Sequence, residues 1–391
     1  MRVLLIFDNR NRILVRKNKE GVLEPTYVDE AINDENFPDS LIEKALGNKG
    51  KAHFLTRSTE LEIATTVYCA HHSSAKIEGG SYCSLDEIQS SLEKKKNVVS
   101  PILKVVLHAI EPHLARIPYM EMGENEYIYR FRTLKERNTN VYIDEKSQGL
   151  YQSKLCRAIK EIRRTKEKTS SDPAIIDFGA VSYVIPSHFG FCLGVQNAIE
   201  RAYETIAENP GKRIFMLSEL IHNAFVNKDL LSRGIRYLQT DNGQPFCEDG
   251  SVSTDPKEPN TLWRQLTSDD IVIIPAFGAT NEDKARLVRK GIDIRQNDAT
   301  CMLVEKVWKA ARRYAQEGYT VLINGKSEHE ETKAPQQQLL GSSFQNSKKE
   351  ILINRWLSTL TKIGDYEVFG LHSNHNSMHN SGYDFFLFRG E

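Results

Sequence analysis

One arrangement occurs twice in this chain: a strand pattern, a cysteine opening a helix pattern, a second strand pattern, and a histidine at its exit. The first copy runs from Gly190-Phe191-Cys192-Leu193-Gly194-Val195 to Ile221-His222-Asn223. The second runs from Asp298-Ala299-Thr300-Cys301-Met302 to Glu328-His329-Glu330-Glu331. Cys192 precedes His222 by 30 residues, and Cys301 precedes His329 by 28. Such near-equality constrains the fold to two similar α/β units, each aiming a thiol and an imidazole at a shared centre.

The helices after the cysteines are well specified. Val195, Ala198, Ile199, Ala202, Tyr203 and Ile206 recur at helical spacing and make one apolar stripe, which Asn209-Pro210-Gly211 ends. Val304, Val307, Trp308, Ala311, Tyr314 and Ala315 repeat the logic, with Gly318 as C-terminal cap. Residues 213–217 and 320–323 read as the strands that follow. Between the two units, 271–274 reads as a buried strand, 281–290 as a helix and 292–295 as a further strand. Alternation of this kind is the signature of a parallel α/β sheet.

A cysteine just ahead of a helix sits at the positive end of the backbone dipole, which favours the thiolate, the species that ligates soft metals and iron–sulfur clusters. Two such cysteines 109 residues apart can meet only through packing of similar domains. An isolated pair would more often be buried filler between helix and sheet. The repeated context, with a histidine at the same offset, favours a site. His222 and His329 follow strands whose carboxyl ends face the crevice where α/β proteins bind ligands, and there an imidazole binds an anionic oxygen or passes a proton. Glu331 could supply a proton if burial raised its pKa, although Glu328, Glu330 and Glu331 together also read as a solvated acidic loop. Asn223 and Thr332 are polar neighbours of these histidines.

Bulk composition narrows the class. At 391 residues, two or three domains are expected. Lys plus Arg equals Asp plus Glu at 52 each, so nothing points to nucleic acid or an acidic membrane surface. No apolar run has the length of a membrane span, and the short apolar N-terminus lacks a signal-peptide core, so the expectation is cytoplasmic. Six dispersed cysteines without a C-x-x-C pair read as reduced thiols.

These segments resemble the LytB/IspH family, 4-hydroxy-3-methylbut-2-enyl diphosphate reductase. The likeness rests on Gly190-Phe191-Cys192-Leu193-Gly194-Val195, Ile221-His222-Asn223, Asp298-Ala299-Thr300-Cys301 and Glu328-His329-Glu330-Glu331-Thr332, in family order and spacing. The stretch 177–189 and the residues from about 140 resemble a longer bacterial variant. What the resemblance implies is an α/β fold: a trefoil-type arrangement of small parallel-sheet lobes around a [4Fe–4S] cluster held by three cysteines. Reductive removal of a hydroxyl from the diphosphate substrate would then give isopentenyl and dimethylallyl diphosphate, the last step of the non-mevalonate route to isoprenoids. Cys192 and Cys301 would be cluster ligands. His222, His329, Asn223, Thr332 and Ser377 would bind substrate, and Glu331 with His329 would serve the proton. The implied partners are the small-molecule diphosphate and an electron donor such as ferredoxin or flavodoxin, with no nucleic acid and no membrane.

Departures from the pattern are specific. Phe277 stands where the family's second diphosphate-binding histidine falls, Asn376 replaces a threonine beside Ser377, and no cysteine follows Cys301. Cys247, the other cysteine in this region, lies among acidic residues that disfavour a thiolate. The expected organisation is an α+β domain over 1–138, a leader and linker over 139–175, a first lobe over 176–260, a second over 261–340 and an incomplete third over 341–391. Fragments at 12–17, 84–88 and 100–103 faintly resemble a Nudix hydrolase without its glutamate-rich magnesium helix, so 1–138 is either a non-catalytic relative or an unrelated module. The alternative for the whole chain is a truncated or fused relative serving as a non-catalytic binding module.

Overall fold

The computed structural model describes residues 1–29, 51–60, 64–72, 79–94, 98–121, 173–186, 190–255, 258–317 and 320–324, with single positions at 154, 158 and 161 and strands at 352–353, 367–370 and 384–389. It shows an α/β protein containing parallel sheets.

The described residues before 122 form a seven-stranded mixed sheet flanked, among those residues, by two helices. Strand β1 (Arg2–Phe7) lies between β2 (Ile13–Lys17) and β6 (Thr65–His71), antiparallel to the first and parallel to the second. The remaining members are β3 (Leu23–Pro25), β4 (Tyr27–Asp29), β5 (His53–Ser58) and β7 (Gly80–Cys83). The continuous apolar run of β1 reflects burial on both faces: Val3, Leu5 and Phe7 enter the main core, while Leu4 and Ile6 pack with Leu14 and Ala70. Helix α1 (Leu85–Lys94) starts on a reciprocal cap. The Glu87 carboxylate accepts the Ser84 N–H at 2.7 Å, and the Ser84 hydroxyl accepts the Glu87 N–H at 3.2 Å. Helix α2 (Pro101–Ile110) follows Ser100, whose hydroxyl accepts the Leu103 N–H, and Pro101 begins it without losing a hydrogen bond. Pro101 therefore marks a helix start.

Two strands beyond this sheet, β8 (Ala174–Asp177) and β9 (Ser182–Ile185), form a hairpin of their own that exposes Ile175, Phe178, Tyr183 and Val184. Helix α3 (Leu193–Glu208) then leads to β10 (Ile214–Met216). Helix α4 (Ala224–Ser232), β11 (Arg236–Tyr237), the short α5 (Leu262–Gln265), β12 (Ile271–Ile273) and α6 (Asn281–Arg289) follow. The three strands make one parallel sheet in the order β11-β10-β12. The sheet thus runs across position 260, because β12 hydrogen-bonds to β10 instead of opening a new sheet.

The strand expected over 292–295 is absent. Asp293 accepts the Arg295 N–H at 2.8 Å, and the Ile292 carbonyl accepts from the Asn11 side chain at 2.8 Å, so the backbone groups there are satisfied outside any ladder. Helix α7 (Met302–Gln316) leads into β13 (Thr320–Asn324). Strands β14 (Leu352–Ile353), β15 (Glu367–Gly370) and β16 (Asp384–Arg389) join β13 in a sheet ordered β14-β13-β16-β15, so the described strands after 341 extend that sheet.

One apolar core spans the N-terminal sheet and the far side of the parallel sheet. Phe7, Ile88, Val106 and Ile110 share it with Phe215, Trp263, Val272, Leu287 and Ile294. The contact also carries polar links, among them Lys290 to Asp86 at 3.4 Å and Arg295 to the Asn9 carbonyl at 3.1 Å. A separate core under α3 holds Val195, Ala198, Ile199, Ala202 and Tyr203, the stripe expected from the sequence.

Candidate functional site

The starts of α3 and α7 deliver the two cysteines to one place. Cys192 is the N-cap of α3, with extended backbone and a half-buried side chain whose Sγ accepts the Val195 N–H at 3.4 Å. Cys301 directly precedes α7, and its sulfur accepts the backbone N–H groups of Leu303 and Val304. Gly194 shows how close the sulfurs come. A Cβ placed on it would lie 2.1 Å from the Cys301 Sγ and 3.9 Å from the Cys192 Sγ. Both sulfurs therefore sit within 4 Å of a single point, and only a glycine leaves room for them.

Burial acts against the helix start at Cys301. Its thiol is pushed up from the ordinary value, first by desolvation and then by the charges of Cys192 and Glu305, while the two N–H donors pull it down. The expectation that a helix start leaves this sulfur as a ready thiolate is corrected. At 8% exposure, loss of water outweighs the donors in the absence of a positive partner.

Backbone hydrogen bonds lock this region to the exit of the parallel sheet. The Ala276 carbonyl accepts the Cys301 N–H at 2.8 Å, and the Ala276 N–H donates to the Leu220 carbonyl at 3.1 Å. Asp298 shapes the approach to Cys301 by accepting the Thr300 N–H and hydroxyl. The 275–280 loop, where Phe277 stands in place of the family's histidine, contacts both His222 and α7. The Phe277 ring stacks on His222 with centroids 4.4 Å apart and planes 19° from parallel. Gly278, at φ +90°, lies so close to Trp308 of α7 that a Cβ would stand 2.2 Å from the indole.

His222 leaves β10 at its carboxyl end, half-exposed, with Nδ1 3.9 Å from a carboxylate oxygen of Asp241. Glu219 completes a group whose ligand-type atoms all lie within 4.8 Å of one another. The Glu219 carboxyl is pushed up, first by burial and then by Asp241, with His222 acting the other way. Burial, then Glu219 and Asp241, raise the Tyr237 hydroxyl. Neither acidic residue was singled out in the sequence, because Asp241 follows a two-residue strand and reaches His222 only through sheet pairing. Asn223 is the N-cap of α4, its side-chain oxygen accepting the N–H groups of Phe225 and Val226 at 3.1 Å each. His329, Glu331, Thr332 and Ser377 lie outside the described residues. The described cysteines, Cys69, Cys83, Cys192, Cys247 and Cys301, are free thiols.

A family model described as LytB protein matches residues 184–360, which take in Cys192, His222, Cys301, His329 and Glu331. Over these residues the chain is similar to the LytB family. Among curated relatives of the LytB segment, 4-hydroxy-3-methylbut-2-enyl diphosphate reductase of Microcystis aeruginosa is 36% identical over 182 residues, covering 46% of this chain and 38% of the relative. The reductase of Gloeobacter violaceus is 36% identical over 156 residues, covering 40% and 34%. The chain therefore spans well under half the length of the curated relatives it matches. A solved structure of (E)-4-hydroxy-3-methyl-but-2-enyl diphosphate reductase overlaps 44% of this chain and 51% of its own, at 24% identity and a TM-score of 0.33. The Plasmodium falciparum reductase overlaps 45% of each chain, at 21% identity and a TM-score of 0.31. No helix among the described residues is long and apolar enough to cross a membrane.

Proposed function

We propose that the LytB segment carries two thiolate ligands and part of the substrate cradle for reductive dehydroxylation of 4-hydroxy-3-methylbut-2-enyl diphosphate, giving isopentenyl and dimethylallyl diphosphate. The observation that carries this reading is the pair of cysteine sulfurs brought within 4 Å of one point at the starts of two helices. Such donors suit a soft centre: two sulfurs side by side, backbone N–H groups aimed at them, and a partly dry surrounding. Cys192 and Cys301 would hold an iron–sulfur cluster there, which would supply the electrons for removal of the hydroxyl. Its positive irons would also reverse the burial penalty on Cys301, since a coordinating thiol is deprotonated outright. The fit is partial. Cys192 and Cys301 supply two of the three ligands that the family uses, and Cys247 is buried in a separate turn, its N–H on the Ser251 carbonyl at 2.8 Å.

The chain's own groups have separable tasks in this reading. Gly194 keeps the space between the sulfurs clear. The N–H groups of Val195, Leu303 and Val304 hold negative charge on them. Phe277 orients the His222 ring towards a diphosphate oxygen, with Asn223 beside it. His329, Thr332 and Ser377 would complete the diphosphate contacts, and Glu331 would deliver the proton. A ferredoxin or flavodoxin would provide the electrons, and the cytoplasm the setting.

The test is iron and acid-labile sulfide content after anaerobic reconstitution, for the wild-type chain and for Cys192→Ser and Cys301→Ser. A full cluster's iron in the wild type and background levels in both variants are expected, with reduced-viologen oxidation then depending on substrate. Wild-type protein that holds no iron, or serine variants that hold as much as it does, would leave the non-catalytic module as the better account.

A further inference from the structure

The two sulfurs beside Gly194 differ in access. Cys192 is half-buried and follows the exposed Phe191, whereas Cys301 is buried. Their backbones are fixed at the helix starts. The Cys192 carbonyl accepts the Gln196 N–H at 3.0 Å, and the Cys301 carbonyl accepts the Glu305 N–H at 3.1 Å. The side chains are therefore the part left to move. With one sulfur 2.1 Å and the other 3.9 Å from a single point, the gap between them is at most about 6 Å. Rotation about the two Cα–Cβ bonds acts directly on that gap, which a disulfide closes to about 2 Å.

The other described cysteines have different neighbours. Cys69 rests against the Met120 sulfur, Cys83 lies 3.7 Å from the Ser81 hydroxyl, and the Cys247 N–H is held in its own turn by the Ser251 carbonyl. An accessible thiol with a sheltered thiol beside it is the arrangement of an attacking and a resolving cysteine.

We propose that Cys192 and Cys301 form an intramolecular disulfide when the chain meets a small-molecule disulfide of the glutathione type. Cys192 attacks first, because it is the sulfur that solvent reaches. Its sulfur bonds to one glutathione sulfur and displaces the other as a thiolate. The Cys301 sulfur then attacks the Cys192 sulfur and displaces the second glutathione thiolate. Two protein thiols are oxidised, one glutathione disulfide is reduced to two thiols, and the two protein protons end on them. The new bond ties the start of α3 to the start of α7. Its role in control rests on the reading that these sulfurs hold a cluster: a disulfide offers no thiolate, so oxidation closes the site to soft metals and a dithiol reductant reopens it.

The experiment incubates the full-length, iron-free chain with oxidised glutathione, then denatures and alkylates it for peptide mass spectrometry. A Cys192–Cys301 linked pair, two hydrogens lighter than the separate thiol peptides and abolished by dithiothreitol, is expected, with Cys69 and Cys247 alkylated. Cys301→Ser should stop at a glutathione adduct on Cys192, and Cys192→Ser should leave Cys301 an alkylated thiol. Circular dichroism reports whether each variant is folded. Folded wild-type protein whose two cysteines end as free thiols, or as separate glutathione adducts, overturns the disulfide. Cobalt(II), which seeks thiolates without reducing disulfides, reads the closure. Sulfur-to-cobalt charge-transfer absorption in the oxidised chain should fall below about a tenth of that in the reduced chain. Equal absorption in the two forms overturns the closure. A linked pair in a chain that takes up no iron even when reduced keeps the disulfide and removes the reductase reading, so the two fail separately.

Discussion

Cys69 and His71 of the N-terminal sheet are the same residue types as Cys301 and His222 of the LytB segment, and their surroundings make them chemically opposite. Cys69 and His71 both stand buried on β6. Burial pushes the Cys69 thiol up to about 12, against the pull of Arg116, and its Sγ rests 3.4 Å from the Met120 sulfur. Burial, then Arg295 and His53, push His71 down to about 3, and neither ring nitrogen has a hydrogen-bond partner among the described residues. Cys301 is also buried, but two backbone N–H groups and a second sulfur face it. His222 is half-exposed, stacked on an aromatic ring and faced by two carboxylates. A thiol and an imidazole become a site when directed donors and an opening accompany them. Without these they are apolar volume with a titration penalty.

The sharpest test of that contrast is thiol alkylation at pH 8, read by peptide mass spectrometry. A thiol of pKa about 12 is ionised in about one molecule in ten thousand at that pH, so Cys69 should stay unmodified while half-buried Cys192 is labelled. Equal labelling of the two would break the comparison.

Acid stability probes the same difference from the histidine side. The folded-state value of His71 lies at about 3, and an unfolded histidine titrates near 6.5. Between these values the unfolded chain takes up a proton that the folded chain refuses, so stability falls as pH drops through that window, by at most about 1.4 kcal/mol per unit. Above the window His71 is neutral in both states and contributes no pH dependence. His71→Phe should remove this component. Denaturant unfolding at pH 7 and pH 4.5 should show the wild type losing about 2–3 kcal/mol more than the variant. Parallel losses would show that His71 is not sealed from protons.

Gly194→Ala gives the smallest expected effect and the clearest sign. Within an ordinary helix the change stabilises by about 1 kcal/mol. Here the new methyl would meet the Cys301 sulfur at 2.1 Å, so a net loss of about 1–3 kcal/mol is expected, with reduced iron uptake. Thermal melting that shows a stabilised variant would place the Cys301 sulfur farther from Gly194 than described.

Much of the fold was legible locally. The Ser84–Glu87 cap, the Ser100-Pro101 helix start, the all-apolar β1 and the stripe on α3 each follow from neighbours a few residues apart. The strand expected over 292–295 failed for a reason no local pattern carries, because the Ile292 carbonyl is taken by Asn11 from the N-terminal sheet. The site divided in the same way. Cys192 and Cys301 were legible because a cysteine opening a helix is a short-range signal that occurs twice. Phe277, read as a missing histidine, proved to be the ring on which His222 stacks. Glu219 and Asp241 went unread, being ordinary acidic residues in ordinary turns.

By itself, then, the sequence determined where helices begin, which faces are apolar, and which two cysteines lie at helix starts, since capping, periodicity and dipole act within a turn or two of chain. Only the tertiary structure decided that the two sulfurs share the space beside Gly194 and that burial outweighs the helix start at Cys301. It also decided that Asp241 stands opposite Glu219 and that the N-terminal sheet shares a core with the parallel one. Each of those depends on desolvation and on contacts between residues tens to hundreds of positions apart, and such free energies exist only once the chain has packed.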